Sequence, residues 1–339
     1  DVAEFYVDNE VRNHYFVSIS GYHIAEAGAN PISQAALTLS NGLTYVELFN
    51  SRGLDANKFL RNFSWFFSNG MDPEYAVIGR VCRRIWAIAM RDMYGVDERG
   101  QKLKYHIQSS GRSLHAQEYT WNDYRTTLQA LYALADNANS LHPNSRDEAF
   151  GTPTEDTVRD AVAIQLILSK EYGWLQNENP LQGSHVADWL TDSVEEEMLK
   201  IFEEMHRRGG VLGALEVNYQ RNRIQDESMI YEHRKHSGEL PIIGVNTFEE
   251  GVDNSLSVEE FDIEVTRSDK EERMMVIDRN KAFKDTHAKE AEEGLARLKQ
   301  VAREGGNLFE VMMDIVEHCT VGQVTQALFE TGGKFRRNM

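Results

Sequence analysis

Four short runs that read as strands, the first three of them rich in aromatic and β-branched residues, are each followed by a longer stretch of helical periodicity and organise the first half of the chain. Tyr15-Phe16-Val17-Ser18-Ile19-Ser20 reads as a strand, and residues 24–49 then carry a helical pattern that ends near Gly53. The same order recurs with Phe63-Ser64-Trp65-Phe66-Phe67 before a helix over 74–94, and with Leu103-Lys104-Tyr105-His106-Ile107 before one over 121–137. Ser140-Leu141-His142 before a helix over 154–172 completes the series. Strand-then-helix units in series imply an α/β fold with a parallel sheet. Polar residues near the strand ends followed by glycine turns, as at Ser20-Gly21, Asn69-Gly70 and Ser110-Gly111, suit a barrel whose strand C-termini carry the site. An eight-stranded barrel needs twice as many units, so half of one is expected.

Beyond residue 176 the pattern changes. Residues 177–248 read as helices that wrap the barrel, with breaks at Gly209-Gly210 and Gly238; 249–270 is an acidic connector, 271–304 a long charged helix and 307–333 a helical hairpin. The expected divisions are 1–176, 177–248 and 249–339.

Composition narrows the function classes. Hydrophobic residues make up 41% and charged residues 27%, as in a globular protein, and no apolar run approaches the ~20 residues of a membrane span. The opening residues do not read as a signal peptide, and only Cys82 and Cys319 are present, which points to a reducing cytoplasm. A net charge of −18 argues against nucleic acid as a partner. One local exception is the cluster Arg80, Arg83, Arg84, Arg99, Lys102, Lys104 and Arg112, which could serve a phosphorylated ligand or be a set of solvated helix faces.

Several patterns imitate functional motifs. His233 and His236 share a helix face but have charged neighbours and no third ligand nearby. Asp285-Thr286-His287 opens like a cobalamin-ligating motif, yet position 290 is Glu where that motif has Gly. Gly209-Gly210-Val211-Leu212-Gly213 follows a helix, which makes it a C-cap. What remains is a polar set at the strand ends: Tyr22, His23, Ser64, Lys104, His106, Gln108, Asn144 and Glu148, expected to converge on one mouth. From residue types alone, His23 is either a structural histidine or a catalyst.

The run Ser18-Ile19-Ser20-Gly21-Tyr22-His23-Ile24-Ala25-Glu26-Ala27-Gly28-Ala29 is very similar to the substrate-barrel motif of the adenosylcobalamin-dependent acyl-CoA mutases, the methylmalonyl-CoA mutase superfamily. Further segments agree in order and spacing: Phe63–Phe67, His106–Leu114, Asn139–Ala149, Asn179–Ser184 and Ile243–Asn246. Within that superfamily the chain resembles most the fused isobutyryl-CoA mutases, because Asn62 stands where methylmalonyl-CoA mutases carry Arg. The resemblance implies the last four units of a (β/α)8 TIM barrel plus a helical extension, and a radical rearrangement of isobutyryl-CoA to n-butyryl-CoA. Methylmalonyl-CoA or another branched acyl-CoA is the alternative substrate, and a non-catalytic half-barrel the alternative of another class.

Carried over residue by residue, the resemblance makes His23 and Tyr22 catalytic. It assigns Tyr15, Asn62, Ser64, Arg99, Lys104, Gln108 and Asn139 to the acyl-CoA, and Glu26, His106, Arg112, Asn144 and Glu148 to adenosylcobalamin. Glu216 and Asn338 are weaker candidates for nucleotide contact, and no metal ligand is expected in this chain. The implied partners are the first half of the barrel, a cobalamin domain and a GTPase domain using GTP and Mg2+, in the same polypeptide or a partner chain, with a homodimer as the assembly.

Overall fold

A computed structural model describes residues 1–11, 14–249 and 267–334. In chain order the first elements are α1 (Val2–Asp8), β1 (Val17–Ser20), α2 (Tyr22–Glu26), α3 (Pro31–Ser51), α4 (Ala56–Phe59) and β2 (Phe63–Asn69). Then follow α5 (Ile78–Tyr94), β3 (Tyr105–Ser109), α6 (Asn122–Ala135), β4 (Ser140–His142) and α7 (Glu155–Leu166). The remaining helices are α8 (His185–Arg207), α9 (Gly210–Glu216), α10 (Tyr219–Ser237), α11 (Lys270–Thr286), α12 (Ala288–Glu304), α13 (Leu308–Ile315) and α14 (Val321–Gly332). By their contacts the residues form two compact units, Tyr15–Val265 and the pair of segments Asp1–His14 and Thr266–Met339.

The larger unit is built on a parallel sheet in the order β1-β2-β3-β4, as the recurrent strand-then-helix pattern requires. Side chains alternate across it. Ile19, Phe63, Trp65, Phe67, Tyr105 and Ile107 are buried, whereas the residues between them form an open face. Trp65 meets Trp86 of α5 edge-on at 4.8 Å, and α3 approaches β2 so closely at Gly42 that any side chain there would strike the Trp65 ring. Burying an aromatic of this size contributes on the order of 2–3 kcal/mol.

The helical stretch expected over 24–49 is two helices. Gly28 takes φ +121°, and Asn30 then restarts the chain as α3, accepting the Ser33 N–H at 2.8 Å with Pro31 in the first turn. The third strand lies two residues later than its apolar content suggests, because its pairing begins with Trp65 opposite Tyr105, and Lys104 contributes only its carbonyl, which accepts the Trp65 N–H at 3.3 Å. The helix expected over 154–172 keeps α geometry only to Leu166 and closes with a π turn over Ile167–Glu171. After α8 the chain turns at Gly209 and Gly210, both at positive φ, and α10 ends at Gly238 with φ +78°. Among the described residues no helix is long and apolar enough to cross a membrane.

In the smaller unit α12, α13 and α14 enclose Leu298, Val311, Ile315, Cys319 and Ala327, and α1 packs on α13 through Phe5 and Phe309, ring centroids 5.3 Å apart. The first helix thus folds with the C-terminal helices. The expected single helix over 271–304 is interrupted at His287, and α11 buries none of its residues. Most of the acidic connector lies outside the described residues.

Candidate active site

The open face of the sheet is organised in rows. Register pairs Ser18 with Ser64, then Ser20 with Phe66, Phe66 with His106 and His106 with Ser140; the next row holds Ser68, Gln108 and His142. His106 Nδ1 and Ser140 Oγ are 2.7 Å apart, and the imidazole packs at 5.1 Å against Phe66. Burial, reinforced by His142, lowers the His106 pKa, so this ring is neutral at physiological pH.

Tyr22 and His23 begin the short helix that leaves β1. The turn into it is fixed by the Gly21 N–H, which donates to the Phe66 carbonyl at 2.7 Å, and a side chain at Gly21 would strike the Thr38 hydroxyl. Ser20 Oγ lies 2.9 Å from His23 Nδ1, which leaves Nε2 of this exposed ring to face a ligand. The Tyr22 ring stacks on Phe66 with centroids 5.0 Å apart and planes 5° from parallel, and stands edge-on to His23 at 5.9 Å. Burial first, then the charges of Glu26 and Glu148, push the Tyr22 pKa up to about 12, against hydrogen bonding to Asn144 and the Gly111 backbone. Tyr22 is therefore a neutral phenol at any physiological pH.

Glu26 ties the strand ends together. Its Oε1 accepts from Ser68 Oγ at 3.2 Å, Ser110 Oγ at 3.0 Å and the Gly111 N–H at 3.2 Å, while Oε2 accepts the Arg112 N–H at 2.9 Å. Asn144 is fully buried: its backbone N–H donates to Ser109 Oγ at 2.7 Å, its amide donates to the Ser109 carbonyl at 2.8 Å, and its Oδ1 accepts from Gln108 at 2.9 Å. Both groups spend their polar atoms on internal partners, and Glu148 is an exposed carboxylate at this end. The Arg112 guanidinium lies 4.3 Å over the Tyr231 ring. Sequence reasoning did not single out Ser20, Ser68, Ser109 or Ser110 as the anchors of these groups. The one signal for them is a serine three places before His23 and two after Gln108.

The expectation of one mouth is corrected. Ser64 is the second residue of β2, Lys104 immediately precedes β3, and Asn139 immediately precedes β4, so these lie at the N-terminal edge of the sheet, opposite Tyr22 and Glu148. Four residue steps along β2 take the chain from Ser64 to Ser68, roughly 13 Å at the usual rise. Asn139 brackets Tyr105, accepting its N–H at 2.9 Å and donating to its carbonyl at 3.0 Å. Asn62 is buried just before β2, whereas Tyr15, Arg99 and Lys104 are exposed.

The basic cluster divides as well. Arg80 pairs with Asp188, Arg84 with Asp192 and Glu195, and Arg83 with Asp136, so three of its members hold the fold together. Arg99, Lys102 and Lys104 remain at the surface, without a side-chain partner among the described residues. Glu216 ends α9, exposed, and Asn338 lies outside the described residues. His233 and His236 lie on α10, and among the described residues no group of three or more His, Cys, Asp or Glu could hold a metal. Cys82 and Cys319 are free thiols, both buried.

Residues 1–334 match the family model described as methylmalonyl-CoA mutase. Over its full length the chain is 60% identical to a fused isobutyryl-CoA mutase of Nocardia farcinica and 59% identical to one of Geobacillus kaustophilus, covering 31% of each. It is 32% identical to the methylmalonyl-CoA mutase of Escherichia coli, with 92% of this chain and 43% of that protein covered. The chain thus spans about a third of the length of the fused relatives it matches.

Proposed function

The chain belongs to the methylmalonyl-CoA mutase family, and from that membership we propose that it is part of a mutase interconverting isobutyryl-CoA and n-butyryl-CoA. The choice of acyl group is supported by the much higher identity to the relatives named fused isobutyryl-CoA mutase than to those named methylmalonyl-CoA mutase. The observation that carries the chemistry is the Ser20–His23 contact, which holds the imidazole by one nitrogen beside Tyr22.

The residues at the C-terminal edge suit a flat cofactor: stacked Tyr22 and Phe66 offer an aromatic floor, and Glu148 stands exposed beside it to accept from ribose hydroxyls. Adenosylcobalamin, when bound there, supplies the radical that starts the rearrangement. With Ser20 donating to Nδ1, His23 carries its proton on Nε2 and donates it to the thioester carbonyl, stabilising charge that builds on that oxygen as the group migrates. Tyr22 shields the reacting carbons from water, and Gln108, steadied by Asn144, orients the thioester. His106, neutral and half-buried against Phe66, lines the acyl end of the face. Ser64, Arg99 and Lys104 at the opposite edge suit the phosphates of coenzyme A, with Tyr15, Asn62 and Asn139 beside them. A ligand touching both edges must be elongated, as an acyl-CoA is.

We read the sheet as the last four units of a (β/α)8 barrel. In support, Val158, Val162 and Leu166 leave an exposed apolar stripe along α7 at the spacing that seats a neighbouring helix. The cobalamin and GTPase domains, with GTP and Mg2+, would then belong to the rest of a longer homodimeric polypeptide. Assay of that complete protein with isobutyryl-CoA and methylmalonyl-CoA side by side tests the reading. His23→Ala should cut kcat by about 10²–10⁴ while cofactor binding, read by absorbance, persists. Near-normal turnover, or a preference for methylmalonyl-CoA, would overturn it.

A further inference from the structure

A cavity of about 780 Å3 lies in the larger unit, between the start of α3, the loops after β2 and β3, α6 and α10. Tyr22, His23 and Gln108 do not line it. Its size is that of a small-molecule site, and Ile32, Tyr75, Leu128 and Ile242 supply apolar wall.

The charges around it are unevenly matched. Glu227 is occupied by the Asn30 N–H, the Ser33 hydroxyl and Arg223, and Arg234 pairs with Glu239. Asp72 and Glu74 share one rim, with Arg112 and Arg234 within electrostatic reach of Asp72. Arg125 differs. Its half-buried guanidinium donates to Asn122 Oδ1 at 2.7 Å and to the Ile243 carbonyl at 2.6 Å, both neutral acceptors, and no carboxylate among the described residues pairs with it. Burial lowers its pKa accordingly. A partly desolvated guanidinium without a counter-charge gains strongly from an anion that it can grip through two parallel N–H bonds.

A second, independent observation stands beside it. His115 is 8% exposed and lines the same cavity, and its backbone is pinned on both sides by the Asn122 amide, at 3.1 Å and 2.8 Å. No described residue bonds its ring nitrogens. Burial, with Arg125 and Lys235 nearby, lowers its pKa to about 4, so the ring keeps one donor and one acceptor for a ligand. The Tyr231 ring has Arg112 at 4.3 Å over its face and Arg125 within electrostatic reach.

We propose that this cavity binds a small organic monoanion with a flat apolar body, its charged group between Arg125 and His115 and its body against Tyr231 and Leu128. The site stands whether or not the mutase reading does, because none of its contacts requires an acyl-CoA or a cobalamin.

The test is a fluorescence titration of the full-length polypeptide with the aromatic sulfonate 8-anilinonaphthalene-1-sulfonate, with the uncharged N-phenyl-1-naphthylamine as its counterpart. Saturable binding of the sulfonate is expected, undiminished by excess coenzyme A and stronger than that of the uncharged dye. Arg125→Met should weaken it about tenfold or more, and Leu128→Trp, which fills the cavity from the apolar side, should abolish it. Each variant is first shown to be folded by circular dichroism and thermal melting, and Arg125→Lys, which keeps the charge and loses the fork, replaces the Met variant if that one does not fold. Absence of saturable binding, equal binding of the two dyes, displacement by coenzyme A, or affinity indifferent to both substitutions would each overturn the proposal.

Discussion

Gly79 and Asp136 meet across 57 positions of sequence: the Gly79 backbone N–H donates to the Asp136 carboxylate, and the Arg80 N–H donates to its other oxygen at 2.9 Å. The residue before α5, Val77, offers no side-chain cap, so a carboxylate at the end of α6 caps the helix instead. A methyl group at Gly79 would overlap the Tyr105 hydroxyl and crowd that carboxylate. Gly79→Ala should therefore cost about 1–3 kcal/mol, read as a lower urea midpoint at unchanged slope. An unmoved midpoint would show that the helix end can shift freely.

The same carboxylate carries a pH signature. Burial pushes Asp136 up to about 7, against the pull of Arg83 and of the two backbone N–H groups. In the unfolded chain it ionises near ~4, so the folded form holds its proton to higher pH. The stability linked to that proton is complete below ~4 and is lost as pH rises through about 7. Stability of the native protein should thus fall relative to Asp136→Asn between those limits. Parallel stability curves for the two proteins, measured by denaturant titration, would refute it.

Ser20 has no expected contact with substrate, yet it fixes the His23 ring. On the proposed function, Ser20→Ala should lower kcat by roughly 3–30-fold with KM little changed, because the tautomer and angle of the imidazole lose their anchor. Steady-state kinetics decide it. A rise in KM alone would mean that the serine acts on binding.

Glu26→Gln keeps the volume and replaces an acceptor with a donor that must face the Arg112 or the Gly111 N–H. A loss of about 1–3 kcal/mol is expected from the stranded donor. Faster hydrogen exchange at Gly111 and Arg112 should accompany it, and unchanged exchange there would contradict the role of Glu26 as the tie between strand ends.

What the chain discloses unaided is its local chemistry. The first three strands announce themselves through aromatic and β-branched residues, whereas by residue type Tyr22-His23 is one polar pair among several at the strand ends, and its similarity to a family motif is what marks it out. The start of β3 is not legible, because Leu103 is as apolar as a strand residue and only pairing with Trp65 excludes it. Nor is the fate of Arg84, whose partner Asp192 lies 108 positions further on. The Glu26 hub escapes for the same reason, since its donors come from strand ends 42 to 86 residues away. Distance along the chain, rather than weakness of the interaction, hides these features.

Alternation along β2 also constrains how relatives can diverge. Phe63, Trp65 and Phe67 are buried while Ser64 and Phe66 belong to the open face, and a one-residue insertion would exchange the two sets along the strand. Packing and ligand contact would fail together. Changes in acyl preference are thereby channelled into point replacements at alternate positions, and differences in length into the loops.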